Sequence, residues 1–179
     1  MSIIIKQEEV KDYELTEKVV ELAFADAEHS DKSEHHLVAR IRNSNSFVPE
    51  LSQVAIDKDK ESIVGHILLS KINIMDDNQT VESLALAPVS VLPEYQNQGI
   101  GRLLISEALK EAKELGYNSV VVLGHPEYYP KFGFKKASIW EIKAPFEVPD
   151  EAFMVIELRE NTLDNVSGVV EYPSVFFVD

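Results

Sequence analysis

Hydrophobic and polar positions along this chain follow a helical period near the N-terminus and a strand-like pattern after about residue 50. Apolar residues three to four positions apart predict a helix over 13–24, after a short apolar strand at 3–5. The run Asp31-Lys32-Ser33-Glu34 has the form of a capping box. It predicts the start of a second helix that continues to about Arg42.

The middle of the chain has long apolar runs that predict strands. The runs at 51–56 and 62–74 are joined by the polar turn Asp57-Lys58-Asp59-Lys60. The run at 81–91 is too continuously apolar for a strand with one exposed face, so we expect it at the centre of a sheet. Three later segments predict further strands: 119–123, 152–158 and, with weaker alternation, 169–178.

The clearest helical pattern covers 100–115, and Gly116 is placed to end that helix. Its apolar stripe contains six residues: Ile100, Leu103, Leu104, Ala108, Ala112 and Leu115. The segment Gln96-Asn97-Gln98-Gly99-Ile100-Gly101 precedes it, although glycine is a poor helix former. Without side chains at the glycines, several backbone N–H groups at a helix N-terminus can point at one anion, helped by the helix dipole. The segment therefore predicts a pyrophosphate cradle and a phosphorylated cofactor.

Two common nucleotide-binding motifs do not fit this segment. The dinucleotide fingerprint needs a third glycine, and Leu104 holds that position. The phosphate loop of nucleotide hydrolases needs a Gly-Lys-Ser/Thr sequence, which the chain lacks. The structural alternative is a glycine turn that only tightens the packing of a strand against a helix.

Composition narrows the function classes. The chain has 179 residues, with 17 Lys and Arg against 31 Asp and Glu, for a formal net charge of −14. This charge argues against nucleic acid and anionic membrane as main partners. The absence of cysteine excludes disulfides, thiolate metal sites and a cysteine acyl-enzyme. No signal-peptide pattern and no run of about 20 apolar residues occurs, so we expect a cytoplasmic protein.

The order of the motifs resembles the GNAT superfamily of acyl-CoA-dependent N-acetyltransferases. Gln96, Gly99 and Gly101 match its Gln/Arg-x-x-Gly-x-Gly/Ala signature, and Tyr129-Pro130-Lys131-Phe132-Gly133-Phe134 matches its Tyr-x-x-x-Gly-Phe element. The tyrosine pair at 128–129 is similar to that of a bacterial branch known mostly as predicted acetyltransferases.

The resemblance implies an α/β fold with a mixed, mostly antiparallel central sheet flanked by helices, in which the central strands splay apart. We expect one acetyltransferase-like domain over 1–179. Its core covers about 3–158, and a strand-like C-terminal extension covers about 163–179.

The resemblance also implies acetyl-CoA as the acyl-donor cosubstrate. No spacing of potential ligands in the sequence suggests a metal site, so we expect no metal. The residues from Gln96 to Arg102, named the cradle below, are expected to bind the pyrophosphate of coenzyme A: Gln96, Asn97, Gln98, Gly99, Ile100, Gly101 and Arg102. The amides of the pantetheine arm would pair with an exposed strand edge at Val89, Ser90 and Val91.

Acetyl transfer without cysteine is simplest as direct attack of a neutral amine on the thioester in a ternary complex. The resemblance implies that Tyr129 gives a proton to the departing thiolate, although a core aromatic is the alternative. Some relatives have a glutamate base where this chain has Ala85. His125 is the candidate base, with a purely structural histidine or a water chain as alternatives. His66 is interpreted as structural.

The sequence leaves the acceptor open. We expect a primary amine on a small molecule or a peptide, and no nucleic acid or membrane partner. The alternative function is a non-catalytic acyl-CoA sensor or interaction module. A homodimer is a further hypothesis, because Phe176-Phe177-Val178 is costly to expose to water.

Overall fold

The computed structural model describes residues 2–28 and 30–177, and a nine-stranded sheet forms its centre. The helices are α1 Tyr13–Phe24, α2 Glu34–Arg42 and α3 Ile100–Glu114. The strands are β1 Ile3–Gln7, β2 Ser52–Asp57, β3 Ser62–Met75, β4 Thr80–Val91, β5 Ser119–Leu123, β6 Lys135–Lys136, β7 Ile142–Lys143, β8 Phe153–Glu157 and β9 Gly168–Glu171. In the described residues, no helix is both long and apolar enough to cross a bilayer.

The main path of the sheet runs β1-β2-β3-β4-β5-β8-β6, and most neighbouring strands are antiparallel. The exceptions are β4 with β5 and β7 with β9, which are parallel. β4 and β5 pair only at Leu84↔Val120 and Ala85↔Val121 and then diverge. The predicted mixed sheet with splayed central strands is therefore confirmed.

Each face of the sheet packs against a different set of helices. Ile67 and Leu69 of β3 join the apolar cluster that contains the buried side of α3. Leu68, between them, packs with residues of α1 and α2. Successive strand residues point to opposite faces, so α3 covers one face and α1 with α2 covers the other.

The helix boundaries confirm the predicted α1 and correct two details. The predicted cap of α2 is wrong: the residue preceding the helix is Ser33, and Asp31 accepts hydrogen bonds from the Ser33 backbone and hydroxyl. The predicted stripe of α3 is partly wrong, because Leu103 and Leu115 are exposed while Ile105 is buried. Ile105 packs toward the sheet one position past Leu104.

The C-terminal segment differs from the strand predicted over 169–178. β9 covers only Gly168–Glu171, where it extends the sheet beside the last residues of β3. After Pro173 the chain forms a 3-10 turn over Ser174–Phe177, and the Arg40 guanidinium of α2 donates a hydrogen bond to the Val175 carbonyl. This turn therefore packs on α2. Val178 lies outside the described residues.

Candidate functional site

The first turn of α3 presents a row of backbone donors. In the described part of the chain, no backbone N–H from Asn97 to Arg102 donates a hydrogen bond. The first one that does is Leu103, to the Gly99 carbonyl at 3.1 Å. The residue before the helix, Gly99, makes no side-chain cap. Unpaired N–H groups at a helix start attract an anion, because they are partly positive and the helix dipole reinforces them.

The backbone of the cradle explains its glycines. Gly99 has φ of 84°, a left-handed conformation that glycine adopts without strain. Asn97 has φ of 62°, and asparagine is one of the few other residues that tolerate this region. A Cβ at Gly101 would lie 3.3 Å from the Tyr128 hydroxyl oxygen, so glycine leaves room between helix and tyrosine.

Side-chain hydrogen bonds hold the cradle in place from below. The buried Tyr95 hydroxyl donates to the Asp57 carboxylate at the end of β2, over 2.8 Å. Asp57 raises the pKa of Tyr95, and the Tyr95 hydroxyl lowers the pKa of Asp57. Gln96 donates from Nε2 to the Val91 carbonyl at 3.0 Å, which ties the cradle to the end of β4. The sequence analysis missed the hydrogen bond between Tyr95 and Asp57, because no sequence pattern links residues 38 positions apart.

A cavity of about 420 Å³ lies against the cradle. Its wall contains most of the cradle residues together with three neighbours: Val91, Tyr95 and Tyr128. The guanidinium-bearing Arg102 is exposed there, and the Lys131 ammonium lies 6.0 Å from the centre of the Tyr128 ring. The free N–H groups therefore border a cleft with two cations beside it. The group that the sequence predicts, a diphosphate, fits this donor set in charge and in hydrogen bonding.

The second half of β4 has an open edge. Val89, Ser90 and Val91 pair with β3 on one side, opposite Ile67, His66 and Gly65 respectively. On the other side the described residues provide no partner beyond Ala85. The register with β3 shifts beside Pro88, which lacks a backbone donor, so the strand bends away from β5. An extended ligand can add to such an edge as a further strand.

Tyr129 lies beside Gly124, the residue that follows β5. Its ring is buried and packs edge-on against Tyr128 and Phe134, with ring centroids 5.2 and 5.6 Å away. A Cβ on Gly124 would overlap the Tyr129 ring, so Gly124 makes room for it. Burial, with a smaller contribution from Tyr128, raises the pKa of Tyr129 to about 12. Its hydroxyl has no hydrogen-bond partner among the described residues and therefore remains available as a proton donor.

The candidate bases lie in different surroundings. His125 is exposed, and its carbonyl accepts hydrogen bonds from the Tyr128 and Tyr129 amides. Ala85 is buried at the last pairing position of β4 with β5, so no carboxylate exists there. Glu82 is exposed near the start of β4. His125 is therefore near the tyrosines along the backbone, whereas the nearest carboxylate on β4 is not.

A buried polar chain that sequence reasoning missed includes His66. The Glu8 carboxylate pairs with Arg42, with both side chains nearly inaccessible, so Glu8 is an acceptor only. The Ser52 hydroxyl must then donate to Glu8 at 2.7 Å and accept from His66 Nε2 at 3.0 Å. His66 is consequently the Nε2–H tautomer, and burial lowers its pKa to about 3. This row of hydrogen-bonded side chains lies behind Ser90, which pairs with His66 across the strands.

The sequence matches the family described as Acetyltransferase (GNAT) family over residues 11–134. The chain belongs to the GNAT acetyltransferase family. It is 32% identical over 126 residues to the protein named "Uncharacterized N-acetyltransferase YhbS" of Escherichia coli K12, covering 70% of this chain and 74% of that protein. The family membership confirms the predicted resemblance and does not favour a non-catalytic sensor.

Two solved structures of GNAT proteins share the fold. The Escherichia coli YhbS structure in complex with CoA has a TM-score of 0.83 and 27% identity, covering 97% of this chain and 91% of that chain. A Brucella melitensis GNAT family acetyltransferase in complex with acetyl-CoA has a TM-score of 0.79 and 28% identity, covering 98% of each chain. Both similarities span nearly the whole chain.

The described residues contain no group of three or more His, Asp or Glu side chains suited to hold a metal ion. The site itself offers backbone donors, a buried phenol and an exposed imidazole. These groups suit the binding of an anionic donor and the transfer of protons.

Proposed function

We propose that this protein transfers an acetyl group from acetyl-CoA to a primary amine by direct attack in a ternary complex. The observation that carries the proposal is the row of unpaired backbone N–H groups from Asn97 to Arg102, which borders a cleft. Relatives solved with CoA or acetyl-CoA support the choice of donor. The family supports an amine as acceptor.

In this proposal the cradle binds the pyrophosphate of the donor through its backbone N–H groups. Arg102 adds positive charge from the exposed side of the cleft. Charge-assisted hydrogen bonds are shorter and stronger than neutral ones, so this row can hold a dianion even in a protein of charge −14. The open edge at Val89, Ser90 and Val91 pairs with the pantetheine amides and directs the thioester toward the gap between β4 and β5.

Tyr129 is proposed as the general acid. The amine attacks the thioester carbonyl, the carbon–sulfur bond breaks, and the sulfur leaves as a thiolate that takes the phenolic proton. A pKa near 12 keeps that proton on Tyr129 at every physiological pH. The apolar surroundings that raise the phenol's pKa also raise the basicity of a nearby thiolate, which helps the transfer.

His125 is proposed to take the proton that the attacking amine loses. A neutral imidazole accepts protons near neutral pH, and its exposed position allows it to release the proton to solvent. The buried His66 is less suited to this role because its pKa is lowered to about 3. The role of His125 is tested by the rate of transfer in His125→Gln, where we expect kcat to fall while acetyl-CoA affinity stays the same; an unchanged kcat would overturn this role.

The donor site is tested with two variants at one position. The side chains introduced by Gly99→Asn and Gly99→Asp have the same shape, and both residues can adopt the left-handed backbone conformation of this position. Only the aspartate places a negative charge in the cradle. Calorimetry with acetyl-CoA should give binding to the wild type, weakened binding to Gly99→Asn and no detectable binding to Gly99→Asp. Equal affinity of both variants would overturn the proposed cradle.

A further inference from the structure

A second cavity, of about 220 Å³, lies at the other end of the open edge of β4. We infer that this cavity binds the hydrocarbon part of the acceptor, which we call its body. The acceptor is then a small primary amine whose body is aromatic or branched aliphatic. The inference rests on the proposed function, because it names the substrate class of the same site.

The strands supply one wall of the cavity. Ala85 and Ala87 of β4 face Val121 and Leu123 of β5 where these strands diverge. The small side chains on β4 leave space there. Ala85 and Val121 belong to the apolar cluster on the face opposite α3. The cavity therefore opens on the face of the sheet away from the helix that bears the cradle.

Four aromatic rings, one from a loop and three from the C-terminal segment, supply the other wall: Phe146, Tyr172, Phe176 and Phe177. Phe146 stacks on Tyr172 with a 20° interplanar angle and 6.0 Å between centroids, and Phe176 and Phe177 also contact Tyr172. Burial raises the pKa of Tyr172 to about 12, so its phenol stays neutral. These rings form an apolar cover over the strand gap, which we name the aromatic cover.

The position of the cavity connects it to the reaction. The cradle cavity reaches Val91 and the second cavity reaches Ala87, so the unpaired edge of β4 joins them. At about 3.3 Å per residue the four steps between these residues span roughly 13 Å. Leu123 lines the second cavity, and the Tyr129 ring packs on Gly124, the next residue. An amine held in the second cavity therefore points its nitrogen toward the gap beside Tyr129.

The lining determines the chemistry of the occupant. Every residue that lines the cavity is apolar apart from the Tyr172 hydroxyl. A diamine or aminoglycoside would have to bury a second ammonium there without a carboxylate partner, which is unfavourable. An aromatic or branched body replaces water against the rings favourably. An apolar cavity of about 150 Å³ is enough for benzene, so the larger volume here accepts a ring with a short chain.

The first experiment compares primary alkylamines that differ in their bodies. Phenethylamine and 3-methylbutylamine are compared with putrescine and ethanolamine, and kcat/KM is measured from thiol release with acetyl-CoA. We expect at least a tenfold preference for the two apolar amines. Equal or faster reaction of putrescine, or no reaction of either apolar amine by a protein that binds acetyl-CoA, would overturn the inference. Failure of acetyl-CoA to bind in calorimetry would instead overturn the proposed function.

A second measurement distinguishes the acceptor's body from the acyl chain of the donor, which has the same apolar chemistry. Hexanoyl-CoA is compared with acetyl-CoA at saturating phenethylamine. We expect hexanoyl-CoA to react more slowly, because its chain competes for the cavity. A faster reaction with hexanoyl-CoA, together with no preference among amines, would assign the cavity to the donor and overturn the inference.

A charge placed on the aromatic cover gives a test by mutation. Phe177 is 61% exposed and Val10, distant in the sequence and absent from the cavity lining, is 76% exposed, so glutamate at either position is compatible with folding. Phe177→Glu should lower the ratio of kcat/KM for phenethylamine over putrescine at least tenfold, while Val10→Glu leaves it unchanged. Acetyl-CoA affinity should be unchanged in both. An unchanged ratio in Phe177→Glu would contradict the assignment.

Discussion

The two ends of the open edge of β4 are built in different ways. At the Val91 end, the six consecutive residues from Asn97 to Arg102 have unpaired backbone N–H groups beside a cleft. At the Ala87 end, side chains from two strands, a loop and the C-terminal turn enclose an apolar cavity. A donor that always has the same diphosphate is suited by a fixed backbone site, whereas an acceptor is selected by side chains. The variants below test whether these ends act separately.

The largest effect is expected at Tyr129, the proposed general acid, which serves donor and acceptor alike. Tyr129→Phe removes the hydroxyl and keeps the ring that packs on Tyr128 and Phe134. Loss of a positioned general acid should lower kcat by roughly 10²-fold or more. Acetyl-CoA affinity and the KM of the amine should change little, as measured by calorimetry and steady-state kinetics.

Tyr128→Phe is the matched control, because it removes a neighbouring hydroxyl that lines the cradle cavity. It should keep most of kcat. A loss of kcat in this control as large as in Tyr129→Phe would mean that the Tyr129 hydroxyl is not the specific general acid.

Acidification should weaken the support behind the donor half of β4. His66 has a pKa of about 3 in the folded protein and about 6.5 when unfolded, so the unfolded state binds more protons between these values. Stability is therefore lost as the pH falls below 6.5, by about 2 kcal/mol between pH 7 and pH 5 from this group. Denaturant unfolding at both pH values measures it.

The control for this pH effect is His66→Gln, which cannot titrate in that range. The variant is less stable at pH 7, because it disturbs the hydrogen bond to Ser52. The comparison is between slopes, and its stability should fall less between pH 7 and pH 5. An identical slope would show that His66 is not the group responsible.

A charge in the cradle should affect the donor end alone. Asn97→Asp keeps the size of the side chain and adds a negative charge beside the unpaired N–H groups. We expect acetyl-CoA affinity to fall about tenfold. Asn78→Asp, in the turn before β4, makes the same change in net charge and should have no effect. A change in amine KM without a change in donor affinity would contradict the separation of the two ends.

The smallest effect is expected at Tyr95, which holds the loop before the cradle in place. Tyr95→Phe removes the hydroxyl that donates to Asp57 and leaves the loop before α3 less firmly held. We expect acetyl-CoA to bind roughly three- to tenfold more weakly, with kcat at saturation unchanged. Unchanged affinity in calorimetry would mean that the cradle keeps its shape without this contact.

The difference between the two ends also explains what the sequence could predict. The cradle is one continuous segment, and its two glycines next to a helical stripe were visible without a structure. The main strands and α1 were predictable because their apolar periods are regular. The capping-box pattern at 31–34 misplaced the start of α2, because Asp31 accepts hydrogen bonds from the Ser33 backbone and hydroxyl and Ser33 itself precedes the helix.

The acceptor end had no comparable signal. Ala85, Val121, Phe146 and Tyr172 are far apart in the chain, and only the sheet topology and the C-terminal turn bring them together. The same holds for Glu8, Ser52 and His66, whose spacing has no regular period. The roles of His125 and of a dimer contact at 176–178, and a cytoplasmic location, stay predictions.

The central claim is that the free N–H groups of the cradle bind the donor's pyrophosphate, and amide NMR tests it most directly. The 20.2 kDa chain is small enough for assignment of its backbone signals. Titration with coenzyme A should shift the amides from Asn97 to Arg102 strongly, and titration with pantetheine, which lacks the pyrophosphate, should leave them nearly unchanged. Equal shifts with both ligands, or coenzyme A shifts confined to other residues, would contradict the account.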